Sequence, residues 1–216
     1  TGEHFRVTRT VRPFSYAVPA SSAGRVEELW DLEGSVLDTL DETPLRTGIR
    51  DRDDDDDEEE DRRRSMTWAP DGNGLIYLEQ EPPPDTTEAD SATAPGEAQE
   101  EEEDEGARRV DRVIRWVPPF GEADTEVIYE SSSRLSSASF SEDMSILFGS
   151  ERSGGATHVY AVYLADPEEK HTIYRWDSDD FYDNPGSLVS DGLTMRGFGG
   201  SSTVRISDDG EAVFLR

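Results

Sequence analysis

The chain contains no cysteine, so no disulfide and no thiol chemistry is available to it. It has one lysine, Lys170, against twenty arginines, and 50 acidic residues, for a net charge of −29. That balance excludes a general affinity for nucleic-acid phosphates. With one lysine there is also no phosphate-binding G-x-x-x-x-G-K-[ST] loop. No apolar run has the length of a membrane-spanning helix or a signal-peptide core. No serine sits in a G-x-S-x-G elbow; the stretch Gly199, Gly200, Ser201, Ser202, Thr203 lacks the closing glycine and leads into a strand-like run. The histidines His4, His158 and His171 are scattered without zinc-ligand spacing, and the aspartates Asp53 to Asp57 lack the glycine of a calcium loop. No metal and no cofactor is therefore expected, and no catalytic residue is visible.

What the chain does have is a phrase written three times. Trp68, Ala69, Pro70, Asp71, Gly72 runs into Leu75 to Leu78; Phe140, Ser141, Glu142, Asp143, Met144 runs into Ile146 to Phe148; and Ile206, Ser207, Asp208, Asp209, Gly210 runs into Ala212 to Leu215. An Asp-Gly turn between alternating apolar runs predicts a hairpin, because glycine accepts positive φ and aspartate bonds its own backbone. Recurrence at spacings of 72 and 66 residues predicts stacked supersecondary units. Further runs complete the first two of these units with period-2 alternation and no helical periodicity. After Phe148 these are His158 to Leu164 and His171 to Trp176; after Trp68 they are Leu75 to Gln80, Val110 to Val117 and Glu126 to Glu130. An earlier unit lacks its opening but has Phe14 to Pro19, Val26 to Leu32 and Val36 to Leu40.

The predicted fold is therefore all-β, a partial β-propeller of four-stranded antiparallel blades. Residues 1–45 give the later strands of one blade, 46–64 an acidic linker, and 65–133 a blade with an acidic insertion at 82–108. Residues 134–202 give a further blade and a Gly-rich loop, and 203–216 the first hairpin of another. Closed propellers hold about 4 to 8 blades, so the register reads as a fragment of something larger. The alternative is a self-contained β-sandwich of about ten strands, which has no reason to repeat one hairpin in phase.

Two acidic runs, Asp51 to Asp61 and Glu97 to Glu105, carry much of the charge, yet an excess remains without them. Two explanations stay open: a salt-adapted surface, hydrated where screening is nearly complete, or a GC-rich genome that favours arginine. Like-charge blocks repel, and a proline-rich, weakly hydrophobic stretch cannot offset its ordering entropy. Residues 51–64 and 82–108 are accordingly expected to lack regular structure. Deleting residues 85–106 is expected to leave the thermal midpoint nearly unchanged, since loop-closure entropy grows slowly with length. A large drop in a melting experiment would show that the insertion packs or binds an ion.

The repeated stretches, with Glu151, Arg152, Ser153, Gly154, Gly155 and Val159, Tyr160, resemble the F-S-P-D-G…I-x-F…S-x-R-x-G…x-I-Y repeat. That repeat builds the propellers of Tol-system periplasmic proteins and of the prolyl oligopeptidase family of serine peptidases. Four further stretches resemble the glutamyl-endopeptidase-like members: Arg25 to Gly34, Arg46 to Gly48, Trp116 to Phe120 and Asp179 to Leu188. Met144, where the turn glycine is expected, and the acidic runs depart from the pattern. The resemblance implies an N-terminal propeller that gates and positions peptide substrates for a downstream α/β-hydrolase domain of the same parent chain. That domain would carry the Ser, Asp, His triad, so no catalytic position carries over here. Arg152 and Asp180 are noted only as polar residues near turns, without an assigned role. The implied partners are that hydrolase domain and peptides, with no nucleic acid and no membrane span. A non-enzymatic protein-binding propeller, Tol-like or a scaffold, is the alternative.

Overall fold

Short apolar runs make the strands, and Leu75–Gln80 opens with four consecutive apolar residues that are all buried. A strand buried on both faces needs a neighbour on each side, and the computed structural model supplies both. It describes residues 2–11, 19–45, 63–82, 109–177, 179–191 and 203–216. The strands are β1 (His4–Thr10), β2 (Arg25–Asp31), β3 (Val36–Thr43), β4 (Arg64–Trp68), β5 (Leu75–Gln80), β6 (Asp111–Trp116) and β7 (Thr125–Ser131). They continue with β8 (Leu135–Phe140), β9 (Ile146–Ser153), β10 (Ala156–Tyr163), β11 (Lys170–Asp177), β12 (Ser190–Asp191) and β13 (Thr203–Val204). Among the described residues no helix is long and apolar enough to cross a membrane.

The sheets run in chain order: β1-β2-β3, then β4-β5-β6-β7, then β8-β9-β10-β11. All neighbouring pairs within these meanders are antiparallel. Such meanders packed face to face are propeller blades, and the packing follows the strand alternation. Leu75 and Tyr77, with Ile114 and Trp116, face the first blade and enclose its Leu29. Ile76 and Leu78, with Val113 and Tyr129, face the third and meet Leu135, Phe140, Leu147, Tyr160 and Val162. The middle blade is thus sandwiched between its two neighbours, and the fold is a partial β-propeller.

The repeated hairpins occupy equivalent places. Trp68 pairs with Leu75, Phe140 with Leu147, and Ile206 with Val213. Each turn is closed alike, by Ala69 N to Gly74 O (3.0 Å), Ser141 N to Ile146 O (2.9 Å) and Ser207 N to Ala212 O (2.9 Å). The turn residue has positive φ in all three, at Gly72 (71°), Met144 (57°) and Gly210 (75°). Met144 takes a conformation costing about 1–2 kcal/mol for a side-chain-bearing residue, and its side chain packs on the core between blades two and three. Ser141 Oγ donates to Asp143 Oδ1 (2.7 Å) and accepts from Ile146 N (3.0 Å), and Ser207 with Asp209 repeats the arrangement. The Ser141 hydroxyl, together with the Ser145 N–H and hydroxyl, donates to Asp143 Oδ1 and holds it down at a pKa of about 2. In the first copy Ala69 has no hydroxyl, and Arg115 ties the turn instead, bonding Asp71 and, at 2.9 Å, Asn73 O. Gly74 is required there, since at φ +100° a Cβ would lie 2.3 Å from Trp116 O.

Three features differ from the sequence reading. The strand that precedes β2 is His4–Thr10, whereas the predicted Phe14–Pro19 run falls, except for Pro19, outside the described residues. The end of the acidic linker is not loose: Arg64 opens β4, Arg63 precedes it outside any strand, and both arginines contact the blades. The third blade is not a separate sheet, because Thr203 of β13 bridges Phe140 of β8 in parallel and joins β12 and β13 to it. The expectations for 51–62 and 83–108, and for Gly199–Ser202, lie outside the described residues.

Candidate functional site

An acyl-transfer site needs a nucleophile within hydrogen-bond reach of a base that is itself oriented by a third group. His4 stacks edge-on against Phe120 at 4.9 Å, and His171 lies against the Tyr163 ring at 5.4 Å and 4.0 Å from Glu169. His158 Nε2 meets Thr172 Oγ1 at 2.9 Å, and partial burial holds its pKa below the ordinary value. Among the described residues, none of the three is hydrogen-bonded to a serine. Arg152 is exposed on β9 opposite Thr157. Asp180 is exposed and contributes its backbone oxygen to Trp176 Nε1 at 2.7 Å. Among the described residues no group of three or more His, Asp or Glu is placed to hold a metal ion.

Among the described residues a dense polar cluster centres on Glu151. Its Oε1 accepts from Ser131 Oγ (2.7 Å), Tyr160 OH (2.7 Å) and Lys170 Nζ (2.6 Å). Ser131 ends β7 in the second blade and the other three residues belong to the third, so the carboxylate bridges the two. Lys170 Nζ lies 4.4 Å over the Tyr160 ring, a cation–π contact that complements the ion pair. Burial alone would raise the Glu151 pKa, but the Lys170, Tyr160 and Ser131 hydrogen bonds outweigh it and the net shift is downward. Burial, with Tyr129 and the Glu151 charge, pushes the Tyr160 phenol up, so it remains a donor. An ionised carboxylate with three donors on one oxygen is neither a general acid nor a base poised near neutrality. Ser131 donates to it and has no imidazole to activate it. The cluster is an inter-blade brace.

Since the folded Glu151 pKa lies below its ordinary 4.5, the stability it contributes is complete above that value. It is lost as pH falls through the lower folded value. Thermal melts of Glu151→Gln are therefore expected to fall less steeply below pH 4.5 than those of the parent protein. Parallel slopes would show that the carboxylate is not held by these donors.

A second brace lies where β4 begins. Arg64 Nη2 donates to both oxygens of Asp111, each at 2.6 Å, and Nη1 to Leu135 O at 3.1 Å. Leu135 N donates back to Asp111 Oδ2 at 2.7 Å. The adjacent Arg63 serves the other neighbour, bonding Asp38 of β3 at 2.9 Å while its guanidinium lies 4.4 Å over Trp116 and 5.4 Å over Tyr77. Successive residues entering a strand point to opposite faces, so two neighbouring arginines tie three blades. Arg6 adds a further tie from β1, donating to Met66 O at 2.7 Å. The Trp116 to Phe120 stretch forms a folded corner, with Phe120 edge-on to Trp116 at 5.2 Å and Trp116 Nε1 donating to Gly121 O at 2.9 Å.

Beside the Glu151 brace, and sharing Ser131 and Lys170 with it, a groove of about 730 Å³ separates the edge strand β7 from the β10–β11 turn. One wall is residues 127–132, and the other is Pro167, Glu168 and Lys170. Hydrophobic periodicity in the sequence could not have found it. Its walls lie some forty positions apart in the chain and meet only because the blades stack.

No protein-family model matches the sequence, and no curated protein matches it. The solved structures that match the chain include the two that follow. TolB from Acinetobacter baumannii shares 14% identity over 88% of this chain and 31% of that one, with a TM-score of 0.39. The β-propeller domain of the Trilobed protease from Pyrococcus furiosus shares 12% identity over 88% of this chain and 42% of that one, with a TM-score of 0.33. The chain thus spans less than half the length of either. Its own sheet order and packing establish the partial propeller.

Proposed function

We propose that the chain is the propeller segment of a serine peptidase of the prolyl oligopeptidase family, glutamyl-endopeptidase-like, gating and positioning peptides for a downstream α/β-hydrolase domain. The observation that carries the reading is that stretches resembling that family coincide with defined parts of the blade stack. Arg25 to Gly34 forms β2 and its turn, and Trp116 to Phe120 forms the corner beneath Arg63. Braced blades supply a rigid frame, which suits a filter that admits short or unfolded peptides and helps exclude water from an acyl-transfer site. In this reading the described residues need no nucleophile.

The test uses the full-length protein. It is expected to react with a fluorophosphonate serine probe and to cleave peptides, with a preference after glutamate, and to lose both activities when its downstream serine is replaced. Full-length protein that neither cleaves peptides nor takes the probe would leave the second reading, a non-enzymatic protein-binding propeller. The groove beside β7 is the observation that favours that alternative.

A further inference from the structure

We propose that the cleft between the outer face of the third blade and the Ile206 to Arg216 hairpin is the seat of one further strand of this polypeptide, an extended segment with a β-branched and an aromatic side chain two positions apart. The inference stands on the repeat of the blades and not on the peptidase reading. The cleft encloses about 390 Å³, the scale of a few side chains.

The register of β9 and β10 defines its floor. Phe148 pairs with Ala161 and Ile146 with Tyr163, and Ala161 pairs in turn with His171. These residues line the cleft. They alternate with Leu147 and Val162, which turn to the second blade, so the floor is the opposite face of the sheet. Ile206 and Val213 close the other side.

The two completed interfaces show what this one lacks. Leu75 and Tyr77 are 0% and 3% exposed where Trp116 and Ile114 of β6 stand opposite them, and Leu147 is 0% exposed opposite Val162 of β10. Val213 holds the same place, since it pairs with Ile206 as Leu75 pairs with Trp68 and Leu147 with Phe140. Yet Val213 is only half-buried, and Leu215, two positions on, is 39% exposed.

The backbone leaves the matching edge open. Ser187 and Arg216 exchange hydrogen bonds of 2.9 and 3.0 Å, and Val189 N donates to Phe214 O at 2.8 Å. Backbone groups alternate sides along an antiparallel strand, so Val213 and Leu215 direct theirs to the other edge, the one that Leu75 and Tyr77 give to β6. Among the described residues no strand pairs along that edge. An unpaired edge is a template for strand addition, and here an apolar cleft lies beside it. The second blade sets the order of the occupant, with a β-branched residue opposite Leu215, as Ile114 stands opposite Tyr77, and an aromatic one opposite Val213, as Trp116 stands opposite Leu75.

The test titrates the isotope-labelled 216-residue chain with the peptide Thr-Gln-Ile-Thr-Trp-Gln-Thr, whose lack of side-chain charge sets aside the pull of a net charge of −29. Binding is expected to slow amide exchange at Val213 and Leu215 and to leave Arg216, already bonded to Ser187 O, unchanged. Replacing the peptide's Ile and Trp with Thr is expected to weaken binding about tenfold or more, through the loss of two large apolar groups. Two half-exposed positions are compared in variants with unchanged melting curves. Tyr163→Ser, in the cleft, is expected to weaken binding several-fold, and Val36→Ser, on the first blade, less than twofold. Full-length protein, whose own strand fills the cleft, is expected not to bind the peptide. Protection at Arg216 in place of Val213 and Leu215, indifference to the peptide's apolar residues, equal effects of the two variants, or equal binding by the full-length protein would each overturn the proposal.

Discussion

Replacing Asp111 with alanine is expected to lower the unfolding free energy by about 3–5 kcal/mol, the cost of removing one partner from a buried ion pair. Asp111 is 0% exposed and holds Arg64 and the Leu135 amide at once. Its loss strands a guanidinium whose Nε already lacks a partner, together with a buried backbone N–H. Both unmet groups lie where the second blade meets the third. Since a domain's whole stability is about 5–15 kcal/mol, the variant is expected to be substantially unfolded or to show separated blade transitions in chemical denaturation. Replacing both partners, Arg64→Met with Asp111→Leu, is expected to recover part of the loss, because it removes the stranded guanidinium but still leaves the Leu135 N–H and C=O without their partners. A loss below about 1 kcal/mol for Asp111→Ala, the size of an exposed pair, would show that water reaches the contact and that it does not brace the blades.

Trp116→Ala is expected to cost a similar about 3–5 kcal/mol, the range for deleting a large buried aromatic, but at the opposite interface. Trp116 is 2% exposed, packs with Leu29 of the first blade, and carries both Phe120 and Arg63. Truncation opens a cavity, removes the Gly121 hydrogen bond and takes away the ring under the guanidinium. Coupling with Leu29→Ala is expected to be non-additive by about 0.5–3 kcal/mol, because the two side chains share one core across the blade boundary. Additivity in the double-mutant cycle would mean that the first blade does not rest on the second. Trp116→Phe, which keeps an aromatic surface, is expected to cost less than the alanine.

Much of the blade architecture was legible because it is written in local chemistry. Asp71 and Gly72, Ser141 and Asp143, and Ser207, Asp209 and Gly210 mark their turns through backbone demands that hold in any context, and the turns lie where those demands place them. The apolar run Leu75 to Leu78 likewise marked a strand, and the structure shows both of its faces buried. The strand at His4–Thr10 escaped because its pairing is largely polar. Arg6 bonds Glu27 at 2.8 Å, Arg9 grips Glu28, and the Arg9 hydrogen bond holds the Glu28 carboxyl below its usual range. Apolar periodicity does not register such pairs.

The braces escaped for a different reason. Arg63 and Arg64 follow an unbroken acidic block, and their composition reads as a continuation of it; only the fold brings Asp38 and Asp111 to them. Glu151 and Lys170 stand 19 positions apart, a separation at which no spacing rule applies. Met144 shows a local rule yielding to packing, since its apolar contact with the neighbouring core accompanies a backbone conformation that glycine would adopt freely.

Residue-resolved amide hydrogen exchange on the intact protein tests the central claim, a middle blade enclosed by its neighbours, most directly. Strands buried on both faces open only with the global transition, whereas edge strands open locally. The account predicts the slowest exchange in β5 and β6, with β9 and β10 protected by the same opening event through their shared core, and faster exchange along the outer strands β3 and β7. Exchange in β5 and β6 as fast as in β3, or three sheets opening with unrelated free energies, would contradict the stacked-blade structure.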